Sequence, residues 1–138
     1  IEFQADSGEW IVNFPHQHFV SLNKKSESTS GNFKESVRMF KNLREQLIEK
    51  RKINAGCAKS YFIENMLYNI HDSFFEGNFT DRFKAIFGKL ATDFNSNTID
   101  NYMCANGISK LFSDKTWRKD LCKEYLLGLN FIRVNNAF

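Results

Sequence analysis

Proline occurs once, glycine seven times and cysteine three times in these 138 residues, and each scarcity removes a class of protein. So few chain breakers exclude collagen-like, linker-rich and low-complexity chains. The cysteines, Cys57, Cys104 and Cys122, are odd in number, widely spaced and never in a C-x-x-C pair. That excludes a disulfide framework and a zinc knuckle, and it fits a reducing compartment. No stretch reaches the ~18 uninterrupted apolar residues of a membrane span, and the N-terminus lacks the basic-then-apolar order of a signal peptide. A cytoplasmic protein without membrane association is expected. The G-x-x-x-x-G-K-S/T, G-x-G-x-x-G and G-x-S-x-G patterns are also missing, which removes the commonest phosphate loops and the hydrolase elbow. Two-metal phosphoryl chemistry needs carboxylates about a residue apart on one strand, and there are none. Asp6 and Glu9 come nearest, but their spacing puts them on opposite faces of a strand. No catalytic residue and no metal-ligand set is therefore assigned to this chain.

What is present is apolar mass. Hydrophobic residues make up 42% of the chain, with fifteen phenylalanines, four tyrosines and two tryptophans. A chain of this length buries one core and is too short for two ordinary domains. The net charge is +3, and it is unevenly placed. Lys34, Arg38, Lys41, Arg44, Lys50, Arg51 and Lys52 stand against Glu35, Glu45 and Glu49, so residues 34–52 carry +4 and the remainder −1.

The periodicity predicts a mainly α fold, a bundle of about five helices preceded by a short β-hairpin or strand remnant. Apolar and polar residues alternate from Ile1 to Phe14 around Ser7-Gly8, as in a hairpin. A lone hairpin is marginal in water, and Ile1 is not a methionine, so further chain before it is expected. Pro15 to Ser30 turns polar and reads as a surface loop. Residues 1–29 are thus a strand remnant and loop, and residues 30–138 a helical lobe. The first helix runs from Phe33 to about Arg51, with Ser30 as N-cap and Phe33, Val37, Phe40, Leu47 and Ile48 inward. Lys34, Lys41 and Lys52 fall about 80 to 100° from Phe33, at the border of that stripe. Further helices are expected from about Ala58 to Asn69, from Thr80 to Phe94, near Ile108 to Phe112, and from about Asp114 to Phe131.

Few side-chain constellations carry chemistry. His16 and His18 form an H-x-H pair that would share a face of an extended segment, but without a third ligand they read as hydrogen-bonding turn histidines. His71 reads as a helix-end residue, and Cys57, lacking a base, as a buried thiol. The remaining group is Lys41 with Ser60 and Tyr61. A lysine is a point charge for phosphate, a hydroxyl and free amides at a helix start add donors, and a tyrosine ring offers a stacking face to a base. Pattern alone equally allows Lys41 in solvent, Ser60 as a cap and Tyr61 in the core.

A resemblance bears on that choice. The order N-F-P-x-x-H (Asn13 to His18), Asn23-Lys24, Thr29, F-K-x-x-V-R-x-x-K-N-L-R (Phe33 to Arg44) and S-Y-F-I-E-N-M-L-Y-N (Ser60 to Asn69) resembles the C-terminal half of bacterial nucleotidyltransferases. These are the cyclic-oligonucleotide synthases of antiphage signalling, similar to cyclic GMP-AMP synthase and more distantly to oligoadenylate synthetase. F-x-x-x-F-x-D-R-F (Phe75 to Phe83), Cys104 and L-F-x(4)-W (Leu111 to Trp117) extend the match over nearly the whole chain. The resemblance implies a helical lobe closing over nucleoside triphosphates against an N-terminal catalytic lobe of the same enzyme. Mg²⁺ would be held by carboxylates of that other lobe, and no cofactor is expected on this chain alone. It implies Lys41 on the triphosphate, Ser60 on a phosphate and Tyr61 on a base. The alternatives are a nucleic-acid surface on the basic helix, as in DNA-activated relatives, and a helical interaction domain without a ligand.

Overall fold

The computed structural model describes residues 2–4, 10–12 and 15–137. Two short strands, β1 (Glu2–Gln4) and β2 (Trp10–Val12), pair antiparallel with Glu2 opposite Val12, Phe3 opposite Ile11 and Gln4 opposite Trp10. The Ser7-Gly8 turn lies outside the described residues. The rest is mainly helical, with five α-helices.

The first of them corrects the sequence reading. Pro15 to Ser30 is not a surface loop, because Pro15–Ser28 forms helix α1. Pro15 occupies the first helical position, where its missing N–H costs nothing and its fixed φ suits the helix. The inward positions are His18, Ser21, Leu22 and Ser26, spaced as a helix face but with one apolar member, so hydrophobic periodicity could not reveal them. The chain leaves α1 through left-handed Ser30 (φ 55°) and Gly31 (φ 84°). Ser30 is therefore not the cap of the next helix. Thr29 does that work, its hydroxyl accepting from the Phe33 amide at 2.9 Å.

Helix α2 (Asn32–Glu49) is the hub, packing against all four other α-helices. Phe33, Ser36, Val37, Phe40, Leu43 and Leu47 form its buried stripe. Helix α3 (Ser60–Tyr68) buries Ile63, Met66 and Leu67, and α4 (Phe79–Asn95) buries Phe83, Ile86, Phe87 and Leu90. The start of α4 is capped by Asn78, whose side chain accepts from the Asp81 amide at 2.9 Å. Short 3₁₀ turns follow at Asp72–Phe74 and Thr98–Asn101.

Two further expectations fail in the last third. Ile108 to Phe112 is not helical, since residues 103–117 fold as a bridged loop, Met103 pairing with Lys110 and Phe112 with Trp117. Gly107, at φ 75°, turns that loop back. Helix α5 begins at Lys119 and not at Asp114, and it runs to Asn135. Trp117 thus precedes the helix, fully buried, with its ring between Phe62 (5.3 Å) and Phe112 (5.2 Å). Tyr125 of α5 is also buried and donates its hydroxyl to the Phe40 carbonyl at 2.8 Å, fastening α5 to α2. Among the described residues no helix is long and apolar enough to cross a membrane.

Candidate functional site

The site forms where the middle of α2, the first turns of α3 and one turn of α1 meet. Helix α3 starts at Ser60 because Lys59 is extended and the segment before it is pinned from two sides. The Trp117 indole donates to the Cys57 carbonyl at 2.9 Å. Arg44 of α2 donates through one Nη1 to the Ala58 carbonyl at 2.9 Å and to the Ser60 hydroxyl at 3.2 Å. The first turn of any helix leaves N–H groups without intrahelical partners, so Ser60 and Tyr61 open α3 on a donor-rich end.

Tyr61 is half-buried, with its ring stacked on His18 at 5.2 Å and 27° and edge-on to Phe62 at 5.9 Å. Its backbone is held by Asn65, which donates to the Tyr61 carbonyl at 2.7 Å and accepts from the Ala105 amide at 2.6 Å. Burial, assisted by Cys104, pushes the phenol up to about 12, so the group stays a neutral ring with a hydroxyl donor.

Glu64 lies one turn along α3 and joins the pieces. One carboxylate oxygen accepts from the Lys41 ammonium at 3.4 Å, and the other stands 3.8 Å from His18 Nε2. Burial pushes its carboxyl up, but the neighbouring His18 and the charge of Lys41 outweigh it and hold the group below its ordinary range. Glu64 is therefore anionic. The Lys41 contact is long for a charge-assisted bond, and the lysine is half-exposed at the stripe border, so its ammonium can exchange partners without unpacking the core.

The structure thus brings Lys41, Ser60 and Tyr61 together on one face and leaves other candidates elsewhere. Lys34 is exposed and donates to Asn23 at 2.5 Å, while Arg38 lines a separate groove with Phe79 of α4. His16 is exposed and His18 buried, because residues two apart on a helix point about 200° apart. They cannot share a metal, and the turn-histidine reading of the pair falls with the loop. His71 caps the 3₁₀ turn, accepting from the Ser73 amide at 3.1 Å. Cys57 is buried, and burial together with Glu124 pushes its thiol up to about 12. Among the described residues no group of three or more His, Cys, Asp or Glu is placed to hold a metal ion. The residues present therefore do not fit Mg²⁺.

Sequence reasoning missed His18, Glu64 and Arg44 as members of the site. His18 is 6% exposed and stacks from α1, the helix that polarity concealed. Glu64 was legible in principle, three residues after Tyr61 on one helical face.

A helical lobe with a cation, a hydroxyl and a ring near one another is compatible with many ligands, and the comparisons with known proteins supply the family. Residues 21–132 match the family of cGAS/DncV-like nucleotidyltransferase C-terminal helical domains, and the chain belongs to that family. It is 33% identical over 93% of its length to the cyclic nucleotide synthase CdnE01 of Staphylococcus haemolyticus, covering 43% of that protein. It is 34% identical over 85% of its length to the cyclic UMP-AMP synthase of Rhodothermus marinus, covering 40% of it. The structure of the Rhodothermus marinus c-UMP-AMP synthase with Apcpp and Upnpp superposes with a TM-score of 0.83 at 31% identity, over 97% of this chain and 45% of that one. The Elizabethkingia meningoseptica cyclic dinucleotide synthase with GTP and Apcpp gives a TM-score of 0.82 at 28% identity, over 95% and 49%. The chain therefore spans less than half the length of these relatives.

Proposed function

We propose that this chain is the helical nucleotide-binding lobe of a nucleotidyltransferase whose complete form joins nucleoside triphosphates into a cyclic oligonucleotide, a second messenger of antiphage defence made in the cytoplasm. Lys41 takes the triphosphate of one nucleotide, Ser60 a phosphate oxygen and Tyr61 the plane of a base. The observation that carries this reading is the half-exposed Tyr61 ring, within one helical turn of the carboxylate that Lys41 reaches at 3.4 Å. A base on the ring and a phosphate on the ammonium can then belong to one bound molecule. Phosphoryl transfer asks mainly for positioning and charge neutralisation, and those are what a cation, a hydroxyl and a ring supply. The names of the relatives, all synthases of cyclic nucleotides, and the nucleotides bound in two of them support the same assignment. The Mg²⁺ such chemistry uses, including that with ATP as donor, would be held by the N-terminal catalytic lobe, and no step is assigned to it here.

We favour a nucleotide over a duplex as the ligand of the basic helix. Lys41 and Arg44 turn toward α3, Lys34 toward Asn23, and Lys52 lies over the Phe131 ring at 4.5 Å. Those contacts occupy part of the charge that a phosphate backbone would need.

Calorimetric titration of the intact protein with ATP and GTP tests the reading. Removing a stacking ring costs ~1 to 3 kcal/mol per base, so Tyr61→Ala is expected to weaken binding roughly tenfold or more. Parent-like affinity in Tyr61→Ala would overturn the assignment.

A further inference from the structure

Helices α4 and α5, each 17 residues long, leave a groove of about 490 Å³ between them. None of its lining residues belongs to α1, α2 or α3, so it is separate from the Lys41–Tyr61 face. The α4 wall carries Phe87, Gly88, Ala91 and Phe94, and the α5 wall carries Leu126 and Leu127. Positions 84, 88, 91 and 95 of α4 and 123, 127 and 130 of α5 follow helical spacing along the two walls, with small or apolar residues in the middle and polar ones toward the ends. Leu127 is 61% exposed and Val134, on the same line, 64%. The span from 84 to 95 is about 16 Å, or three turns of a third helix.

Gly88 leaves this wall low. It lies mid-helix, where glycine weakens a helix relative to alanine, and a Cβ built there meets nothing within 4 Å. The fold does not require it. An approaching backbone would use the space.

The rim has one sign. Lys84, Lys123 and Arg133 line the groove, no acidic residue does, and among the described residues none of the three has a carboxylate at ion-pair distance. Lys119, at the head of α5, lies over Phe94 in the last turn of α4 at 5.2 Å and contacts the segment just after it, 3.2 Å from Asn97 and 2.8 Å from Asp100. The helices thus run in opposite senses, placing Lys123 toward one end of the groove and Lys84 and Arg133 toward the other.

We propose that this groove docks an amphipathic helix of a partner protein, about three turns long, with small and aliphatic residues facing the groove and Asp or Glu on both flanks. A second copy of this chain is the poorer occupant, because a two-fold pairing would set the cationic rim against itself. The apolar floor does not suit a phosphate backbone, and a flat headgroup layer would not fill a groove between two helices. The contact belongs to the small, transient class of interfaces, with charge setting its specificity.

The test uses the intact protein and three fluorescein-labelled sixteen-residue helical peptides. One has a Leu/Ala face with Glu flanks, one the same face with Lys flanks, and one Glu flanks with the Leu residues replaced by Gln. Polarisation is expected to saturate with the first alone, weakening as salt is raised from roughly 50 to 300 mM. Gly88→Leu, whose Cβ meets nothing within 4 Å and whose side chain would enter the groove, is expected to lower that affinity about tenfold at unchanged nucleotide binding. The double variant Lys84→Glu/Lys123→Glu is expected to exchange preference toward the Lys-flanked peptide, a result that no loss of folding produces. The proposal is overturned by equal binding of the Glu- and Lys-flanked peptides, or by indifference to Gly88→Leu. It is overturned equally by hydrogen exchange showing the α4 and α5 faces already covered in the intact protein. Light scattering that finds a dimer broken by Leu127→Glu would assign the groove to a second copy. Preferential binding of a duplex or of anionic vesicles at this rim would reject the helix.

Discussion

His18 and Tyr61 stack at 5.2 Å with their planes 27° apart, one ring from α1 and the other from the start of α3. His18 is 6% exposed, and among the described residues its Nδ1 has no hydrogen-bond partner, so packing and Glu64 on the Nε2 side position the ring. It packs against one face of the tyrosine and fixes the ring's position.

Aromatic pairs contribute about 0.5 to 1.5 kcal/mol beyond area burial. His18→Ala is therefore expected to weaken nucleotide binding by the intact protein roughly two- to tenfold. His18→Phe, which keeps a ring, should stay within about twofold of the parent. Equal losses in both variants, read by calorimetry, would mean that the imidazole and not the stack matters.

Glu64 occupies Lys41 in the free protein, so an arriving triphosphate has to compete with it. Partly exposed ion pairs are worth about 0.2 to 1 kcal/mol, and Glu64→Gln is expected to tighten triphosphate binding by up to about fivefold. The same variant has a pH signature. A carboxyl held below its unfolded value stabilises the fold fully above that value, 4.5 for glutamate, and loses the contribution as pH falls through the lower folded value. The stability difference between parent and Glu64→Gln should be flat above pH 4.5 and shrink below it, as followed by denaturant unfolding.

Two glycines should respond oppositely to alanine. At Gly88 the new methyl meets nothing, and helix propensity is expected to add about 0.5 to 1 kcal/mol. At Gly128 it would lie 2.7 Å from Ile53 Cγ2 and 2.9 Å from Leu47 Cδ1, where α5 crosses the end of α2. Overpacking there is expected to cost about 1 kcal/mol or more. Thermal unfolding of the pair checks both signs.

Cys57, Cys104 and Cys122 are all buried, and burial is the leading cause that raises each thiol, Cys57 to about 12. At pH 8 their alkylation, located by mass spectrometry, is expected to follow global unfolding. Rapid labelling of any one in the native protein would contradict the packing around Trp117 and α5.

The parts of this fold that announce themselves in sequence are those whose inward faces are apolar. Phe33, Val37, Phe40 and Leu47 mark α2 unmistakably, and Phe83, Ile86, Phe87 and Leu90 mark α4. Helix α1 is concealed because its inward face is His18, Ser21, Leu22 and Ser26, a buried stripe with one apolar member. Ile108 to Phe112 imitates a helix because Leu111 and Phe112 are buried, yet they are buried from a bridged loop that tertiary pairing with Trp117 creates. The site divides the same way. Lys41, Ser60 and Tyr61 stand in matched motifs, whereas the stacking of His18 depends on a helix the pattern hides.

The most direct test of the site compares two cations of α2. Lys41 meets Glu64 beside Tyr61, while Arg38, one turn earlier, is exposed and lines the groove with Phe79 of α4. ATP titration of the intact protein is predicted to show affinity falling about tenfold in Lys41→Ala and unchanged within about twofold in Arg38→Ala, since one direct charge contact to phosphate is worth roughly 1.5 to 3 kcal/mol. Equal losses in the two variants, or none in Lys41→Ala, would contradict the account.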